Sequence, residues 1–257
     1  MIRQVRNIHG LMIIGIGIRM KSRIWDIPKM WKDQDCWIIG SGSSVPYEFG
    51  VPDSVIKRVV FDGESVTRYS EYMSFLNNKN VIAVNYSFRI GDFVDILFSG
   101  DAKFYPLIDN ELKGFNGKVV TVSDFDRTIK NNENFLYLRR DERKRHGLSF
   151  LKSKLSWNIT SGACAINLAV QLGVRRIFLL GFDLVGHPIS GNTHFYNSWV
   201  NGGYRNQKQA LRKRCFYNID KDAKTIGVDI VNVSSFSIVP FFKKMTIPQI
   251  KKVYYGE

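Results

Sequence analysis

Cysteine is scarce. The three present, Cys36, Cys164 and Cys215, are odd in number and far apart, which argues against a disulfide framework or a metal-ligand spacing. They suggest reduced thiols in a cytoplasmic setting, and Cys164 reads as a small buried residue rather than a nucleophile. Long apolar runs are missing too. The run Leu11–Ile18 falls well short of the ~20 residues that cross a bilayer. Arg19, Lys21 and Arg23 follow it where a signal sequence would carry small residues for cleavage. No other segment reads as a membrane span. Acidic side chains are outnumbered, 23 against 37 Lys and Arg, for a net charge of +14. The expected partners are therefore acidic: nucleic acid, nucleotides or an anionic surface. Internal repeats, low-complexity tracts and convincing linkers are also lacking, so one domain is the economical count.

What is present is a globular composition, 44% hydrophobic and 13% aromatic, on 257 residues, enough for one large α/β domain. Residues 1–34 read as a basic leader, peripheral or disordered, and 35–257 as the domain. The organising stretch is Trp157–Gly186. Ser161 and Gly162 stand where a helix N-cap belongs, Ala165, Leu168, Ala169 and Leu172 form a 3.6-residue apolar stripe, and Gly173 closes the helix. Ile177–Gly181 is then a continuous apolar run of the kind found in parallel strands covered on both faces. Asp183 follows, placing a carboxylate at the carboxyl rim where open α/β sheets bind ligands. The facing helix start is a natural phosphate seat.

Other runs repeat the pattern. Cys36–Gly40 reads as a strand entering the turn Ser41-Gly42-Ser43-Ser44, whose backbone and hydroxyls can approach a phosphate. That turn lacks the Lys of a Walker loop and the third Gly of a dinucleotide fingerprint. Val55–Phe61 reads as a second strand and Ser65–Leu76 as a helix. Val81–Val84 is a strand delivering Asn85 to the rim, Val94–Phe98 one delivering Asp101, and Lys118–Val122 one leading to Asp124 and Asp126. An Asp-x-Asp after a strand can hold a divalent metal on a nucleotide diphosphate, and also arises by chance. Arg139–His146 (RRDERKRH) reads as a solvated face or a phosphate-contacting surface. Tyr204–Lys224 reads as a basic helix and Val228–Val233 as a final strand.

The most chemical segment is Pro188–Trp199, a polar loop carrying His194, Tyr196 and Trp199. Histidine titrates near neutrality and can take a proton from an acceptor hydroxyl. Tyr196 and Tyr204 can stabilise a departing phosphate oxygen.

The segments CWIIGSGSSV, VIAVNYSFRIGDFVDILFSGDAKFY, SGACAINLAVQLGVRRIFLLGFDL, GNTHFY and GVDIVNVS, in order from Asp35 to Ser237, resemble a group of phage-encoded proteins. That group is related to the DUF115 proteins, which include 6-hydroxymethylpterin pyrophosphokinase-like enzymes, and more distantly to the sialyltransferases of glycosyltransferase family 42. The resemblance implies a single Rossmann-like α/β domain, a mostly parallel sheet flanked by helices. In the metal-independent sialyltransferase branch it implies that Gly40, Ser41, Gly42, Ser43 and Ser44 hold the donor nucleotide. Asn85 contacts that nucleotide, Ser161 and Gly162 bind around its base and phosphate, and His194 is the base. The family turn reads Gly-x-Gly-Pro-Ser-Leu, and this chain lacks its Pro. Two reactions compete. One is glycosyl transfer from a nucleotide-activated donor, a CMP-sugar favoured, to a hydroxyl acceptor that includes modified phage DNA among its candidates. The other is pyrophosphoryl transfer from ATP with magnesium held by Asp101, Asp183 or the Asp124/Asp126 pair. A third reading is a non-catalytic nucleic-acid-binding protein. The expected setting is the cytoplasm of a phage host, as a monomer or an oligomer.

Overall fold

A computed structural model describes residues 24–122, 135–188, 191–196 and 209–257. Its strands, in chain order, are β1 (Asp35–Ile39), β2 (Asn80–Val84), β3 (Ile96–Ser99), β4 (Lys118–Thr121), β5 (Phe135–Tyr137), β6 (Arg139–Asp141), β7 (Lys154–Ser156), β8 (Arg176–Leu180), β9 (Asp229–Asn232) and β10 (Lys243–Lys244). Eight of them form one sheet in the order β10-β9-β8-β1-β2-β3-β4-β5, and β6 and β7 pair apart from it. Every pairing is parallel. The chain steps outward from β1 to β5, returns to the other side of β1 with β8, and steps outward again to β10. The topological switch point therefore lies between β1 and β8, where Trp37 is in register with Phe178. A crevice at the carboxyl ends of these two strands is the place such sheets offer a ligand.

The apolar runs are continuous because both faces are covered, and alternate residues divide between two cores. Trp37, Ile39, Val81, Ala83, Leu97, Phe178 and Leu180 enter one core. Cys36, Ile38, Ile82, Val84, Phe98, Ile177 and Leu179 enter the other. The helices are α1 (Val45–Glu48), α2 (Asp53–Phe61), α3 (Asp109–Leu112), α4 (Ser161–Leu172), α5 (Gln209–Thr225) and α6 (Ile247–Ile250). Helix α4 starts at the N-cap Thr160, one residue before the expected Ser161, with Thr160 Oγ1 accepting from Ala163 N–H (3.2 Å). It ends at Gly173 in the left-handed conformation, as its sequence predicts.

The expected stripe of α4 faces the sheet, yet its opposite side is buried as well. Asn167 Oδ1 accepts from Ser149 N–H and Ser156 N–H (both 2.9 Å), and its Nδ2 donates to Ser149 O (2.9 Å). Gln171 Nε2 adds a bond to the same carbonyl (2.9 Å). These amides clamp the β6–β7 excursion across the helix, so part of the Arg139–His146 run is strand rather than a plain solvated loop. Arg140 lies over the Trp157 ring at 3.5 Å.

Three further expectations change. Val55–Phe61 is helical: Pro52 and Asp53 open α2, and Ile56, Val59 and Val60 bury one face at helical spacing. Ser65–Leu76 is not one α-helix but two 3-10 segments, Val66–Tyr72 and Ser74–Leu76, with Ser65 capping the first. The leader expected over 1–34 is shorter. Residues 24–34 pack on the domain, with Ile27 and Trp31 in the core, Trp25 N–H donating to Tyr137 O (2.8 Å) and Trp31 N–H to Leu172 O (3.0 Å). Residues 1–23 lie outside the described residues, as do Asp124, Asp126, Trp199 and Tyr204. Among the described residues no helix is long and apolar enough to cross a membrane.

Candidate functional site

The turn after β1 and the loop after β8 are pressed into one another. Gly40 N–H donates to Leu180 O (2.7 Å) and Gly42 N–H to Gly181 O (2.9 Å). A Cβ on Gly42 would stand 2.4 Å from Asp183 Oδ2 and 2.6 Å from Gly181 O. Gly181 is itself left-handed (φ 67°), and a side chain there would meet Val45. The Gly/Ser composition of this turn thus has a structural cause beside any role at phosphate: two backbones approach too closely for side chains.

Asp183, expected as a catalytic carboxylate on the open rim, is turned inward and is 1% exposed. Its Oδ2 accepts from Ser44 N–H (2.9 Å) and its Oδ1 from Ser44 Oγ (2.6 Å). Ser234 Oγ, at the end of β9, donates to the same Oδ1 and contacts Ser44 Oγ (2.9 Å). Burial pushes the Asp183 pKa up, and the serine bonds and nearby His187 only partly offset this. Its geometry is that of a strut joining the ends of β1, β8 and β9.

The other rim residues are more open. Asn85 ends β2 in the left-handed region (φ 54°), and its side-chain Oδ1 is buried with no hydrogen-bond partner. Ser43 Oγ, on the adjacent turn, is buried and unpartnered as well. Buried polar atoms are normally paired, so two orphans on neighbouring strand ends mark a place prepared for polar atoms from elsewhere. Ser87 Oγ donates to Gly40 O (2.9 Å), fixing the start of the segment after Asn85 against the turn. Left-handed conformations also occur at Leu184 (φ 55°), Asn158 (φ 42°) and Ile159 (φ 64°). The last two directly precede α4, and for bulky residues such backbone is strained.

The loop with His194 is fastened to this turn. Phe195 N–H donates to Ser41 O (3.2 Å), and Tyr69 Oη donates to Phe195 O (3.0 Å). His194 Nδ1 is bonded to Thr193 Oγ1 at 2.8 Å. Burial holds the His194 pKa below its ordinary value, so the neutral imidazole is favoured at pH 7. The Tyr196 ring lies 5.3 Å from that of His194 and 5.8 Å from that of Tyr86, next to Asn85. The structure therefore gathers Gly40–Ser44, Asn85, His194 and Tyr196.

A second group adjoins it. Ser161 Oγ accepts from Gly100 N–H (3.1 Å), placing the start of α4 beside the end of β3, while Gly162 packs against Phe182. Asp101 is exposed and accepts from Lys103 N–H (3.0 Å), capping the 3-10 segment Ala102–Leu107. Among the described residues no three His, Cys, Asp or Glu side chains are grouped to hold a metal ion.

Sequence reasoning missed several residues here. His187 is buried, stacked on Tyr47 (ring centroids 4.6 Å) and edge-on to Phe236 (4.8 Å). Glu48 Oε1 accepts from Ser235 N–H (2.6 Å), and burial raises its pKa. Ser87 and Ser234 complete the turn. Only the serine-rich context after β9 was a signal for any of them.

No protein-family model matches the chain, and no curated protein does. Among solved structures it is similar to the MAf glycosyltransferase from Magnetospirillum magneticum AMB-1, with a TM-score of 0.55 and 14% identity. That match covers 87% of this chain and 35% of the other, so the chain spans about a third of that protein's length. It is also similar to the sialyltransferase CstII from Campylobacter jejuni, solved with cytidine-5'-monophosphate, at a TM-score of 0.45 and 12% identity over 82% of this chain and 84% of that one. At these identities the first likeness shows the fold: Rossmann-like α/β with a mostly parallel sheet.

Proposed function

We propose that the chain is a glycosyltransferase that takes a sugar from a nucleotide-activated donor bound at the carboxyl ends of β1 and β2. The observation that carries this is the pair of buried, unpartnered atoms, Ser43 Oγ and Asn85 Oδ1, beneath the loop that holds His194. They supply a donor or acceptor hydroxyl and a carbonyl acceptor for a nucleotide's ribose or base. The first amides of α4, at Ser161 and Gly162, precede the intrahelical bonds and suit a phosphate. The shared fold with a glycosyltransferase and the sequence resemblance support the same class, and the resemblance favours a CMP-sugar.

In this reading Thr193 orients the His194 ring through Nδ1, leaving Nε2 to take the proton of the acceptor hydroxyl. The acceptor oxygen bonds to the anomeric carbon as the bond from that carbon to the phosphate oxygen breaks. The electron pair leaves with the nucleotide, whose phosphate is stabilised by the α4 amides and the Tyr196 hydroxyl. Asp183 positions the turn through Ser44 rather than touching substrate.

The test is a thermal-shift panel of CMP, UDP, GDP, ADP and ATP, each with and without magnesium. A ligand at a hundredfold its Kd stabilises the native state by about 2.7 kcal/mol. The expected result is a magnesium-independent response to CMP that Asn85→Ala and Ser43→Ala weaken. His194→Ala should keep that response while abolishing sugar transfer. A response to ATP alone, and only with magnesium, would move the assignment to pyrophosphoryl transfer.

A further inference from the structure

A groove of about 690 Å³ opens beside the nucleotide rim, between the segment after α2, the 3-10 segment Asn85–Ile90 that follows β2, and the end of α3. Tyr196 forms part of its wall, so it reaches the ring that lies 5.3 Å from His194. Its volume is that of a small-molecule site. Aromatic surface comes from Phe88, Phe115 and Tyr196, and hydroxyl and carboxylate oxygens from Ser65, Thr67, Glu64 and Asp92.

The charges around the groove decide what it can take. Arg89, the cation in its lining, is held by Glu111 through two bonds of 2.5 and 2.6 Å and lies 4.5 Å over the Tyr86 ring. Arg68 and Arg58 stand behind Glu64, at 3.2 and 3.7 Å. Each nearby guanidinium is thus committed to a carboxylate, and Asp92, exposed on the wall, is the charge left over among the described residues. Such a surface offers no free cation to a phosphate. It offers hydrogen-bond acceptors for hydroxyls and ring faces for C–H groups.

We infer that this groove binds the acceptor, and that the acceptor is a neutral or amine-bearing saccharide rather than a phosphodiester chain. The inference rests on the transferase reading and gives its second substrate a class and a place. The net charge of +14 belongs to other surfaces.

Saturation-transfer NMR with lactose, the glucosamine trimer and glucose 6-phosphate tests this, alongside the CMP thermal shift on the same samples. Thr67→Trp fills the groove from an exposed position outside the nucleotide rim, and Asp92→Ala is a second variant that removes the unpaired charge. The expected result is transfer to lactose and the glucosamine trimer that falls at least fivefold in Thr67→Trp, with an unchanged CMP shift. Asp92→Ala should weaken the trimer more than lactose. Transfer unaltered by Thr67→Trp, no transfer to either sugar, or a preference for glucose 6-phosphate would overturn the inference. Saccharide binding that Thr67→Trp abolishes, in a protein with no CMP response, would uphold the groove and remove the transferase reading.

Discussion

At the scale of single residues, the rim divides into atoms that are satisfied and atoms that are not. Gly42 belongs to the first kind. Because its Cβ position is within 2.6 Å of both a buried carboxylate and a backbone carbonyl, Gly42→Ala must push β1 and β8 apart at their ends. Overpacking of this type costs about 1–3 kcal/mol, and a urea titration should show a loss of that size. Asp183 gives a prediction in pH. Its folded pKa is raised by burial, so the native state holds the proton more tightly than the unfolded chain does. The stability it contributes is full below the ordinary carboxylate pKa and is lost as pH rises through the raised value. In Asp183→Asn the amide can replace Oδ1, donating to the rotatable hydroxyls of Ser44 and Ser234, while its oxygen still accepts from Ser44 N–H. Unfolding free energies measured from pH 4 upward should therefore favour the wild type less, relative to Asp183→Asn, as pH rises. A constant difference would contradict the assignment. His194 shifts the other way: its depressed pKa predicts that the acid limb of kcat/KM lies below pH 6.5. Sequence could name Asp183, Asn85 and His194 because each follows a strand or sits in a polar loop. It could not tell a strut from a ligand contact, since that depends on Ser234 and Ser44, 190 positions apart.

At the scale of elements, α4 shows how a helix can be correctly read and still be incompletely understood. Its apolar stripe and Gly173 stop are visible in sequence, and so are β1, β2, β3, β4, β8 and β9, because a strand covered on both faces needs an unbroken apolar run. What sequence hides is Asn167, a polar residue that looks solvent-facing and is fully buried. It holds the Ser149–Ser156 segment with three bonds, and no local pattern announces a clamp made to residues 11 and 18 positions away. The same non-locality explains α2, where a short apolar run fits strand and helix alike until Pro52 and Asp53 are given weight. Asn167→Leu leaves buried backbone donors without partners, at about 1–3 kcal/mol for each group stranded. The β6–β7 excursion should open first, so trypsin should cut at the basic residues between Arg139 and Lys154 while the eight-stranded sheet persists. Simultaneous loss of the sheet would show the excursion to be integral to the core.

At the scale of the whole molecule, the excess of positive charge and the chemistry of the rim point to different partners. The rim is built from neutral groups, Ser43 and Asn85, and the groove beside it has its guanidinium groups paired. Cations such as Arg139, Arg143 and Arg214 are exposed elsewhere on the described surface. Charge of this kind attracts a polyanion without reading it. A duplex that releases counterions from ~4 phosphates loses roughly a hundredfold in affinity between 50 and 200 mM salt. Binding of a short DNA duplex should follow that steep dependence, while the responses to CMP and to lactose stay nearly flat. Saturating the protein with duplex at low salt should also leave the CMP shift in place, because the two occupy separate surfaces. Competition between them would instead make the basic surface and the rim a single site, and a DNA acceptor would then displace the saccharide.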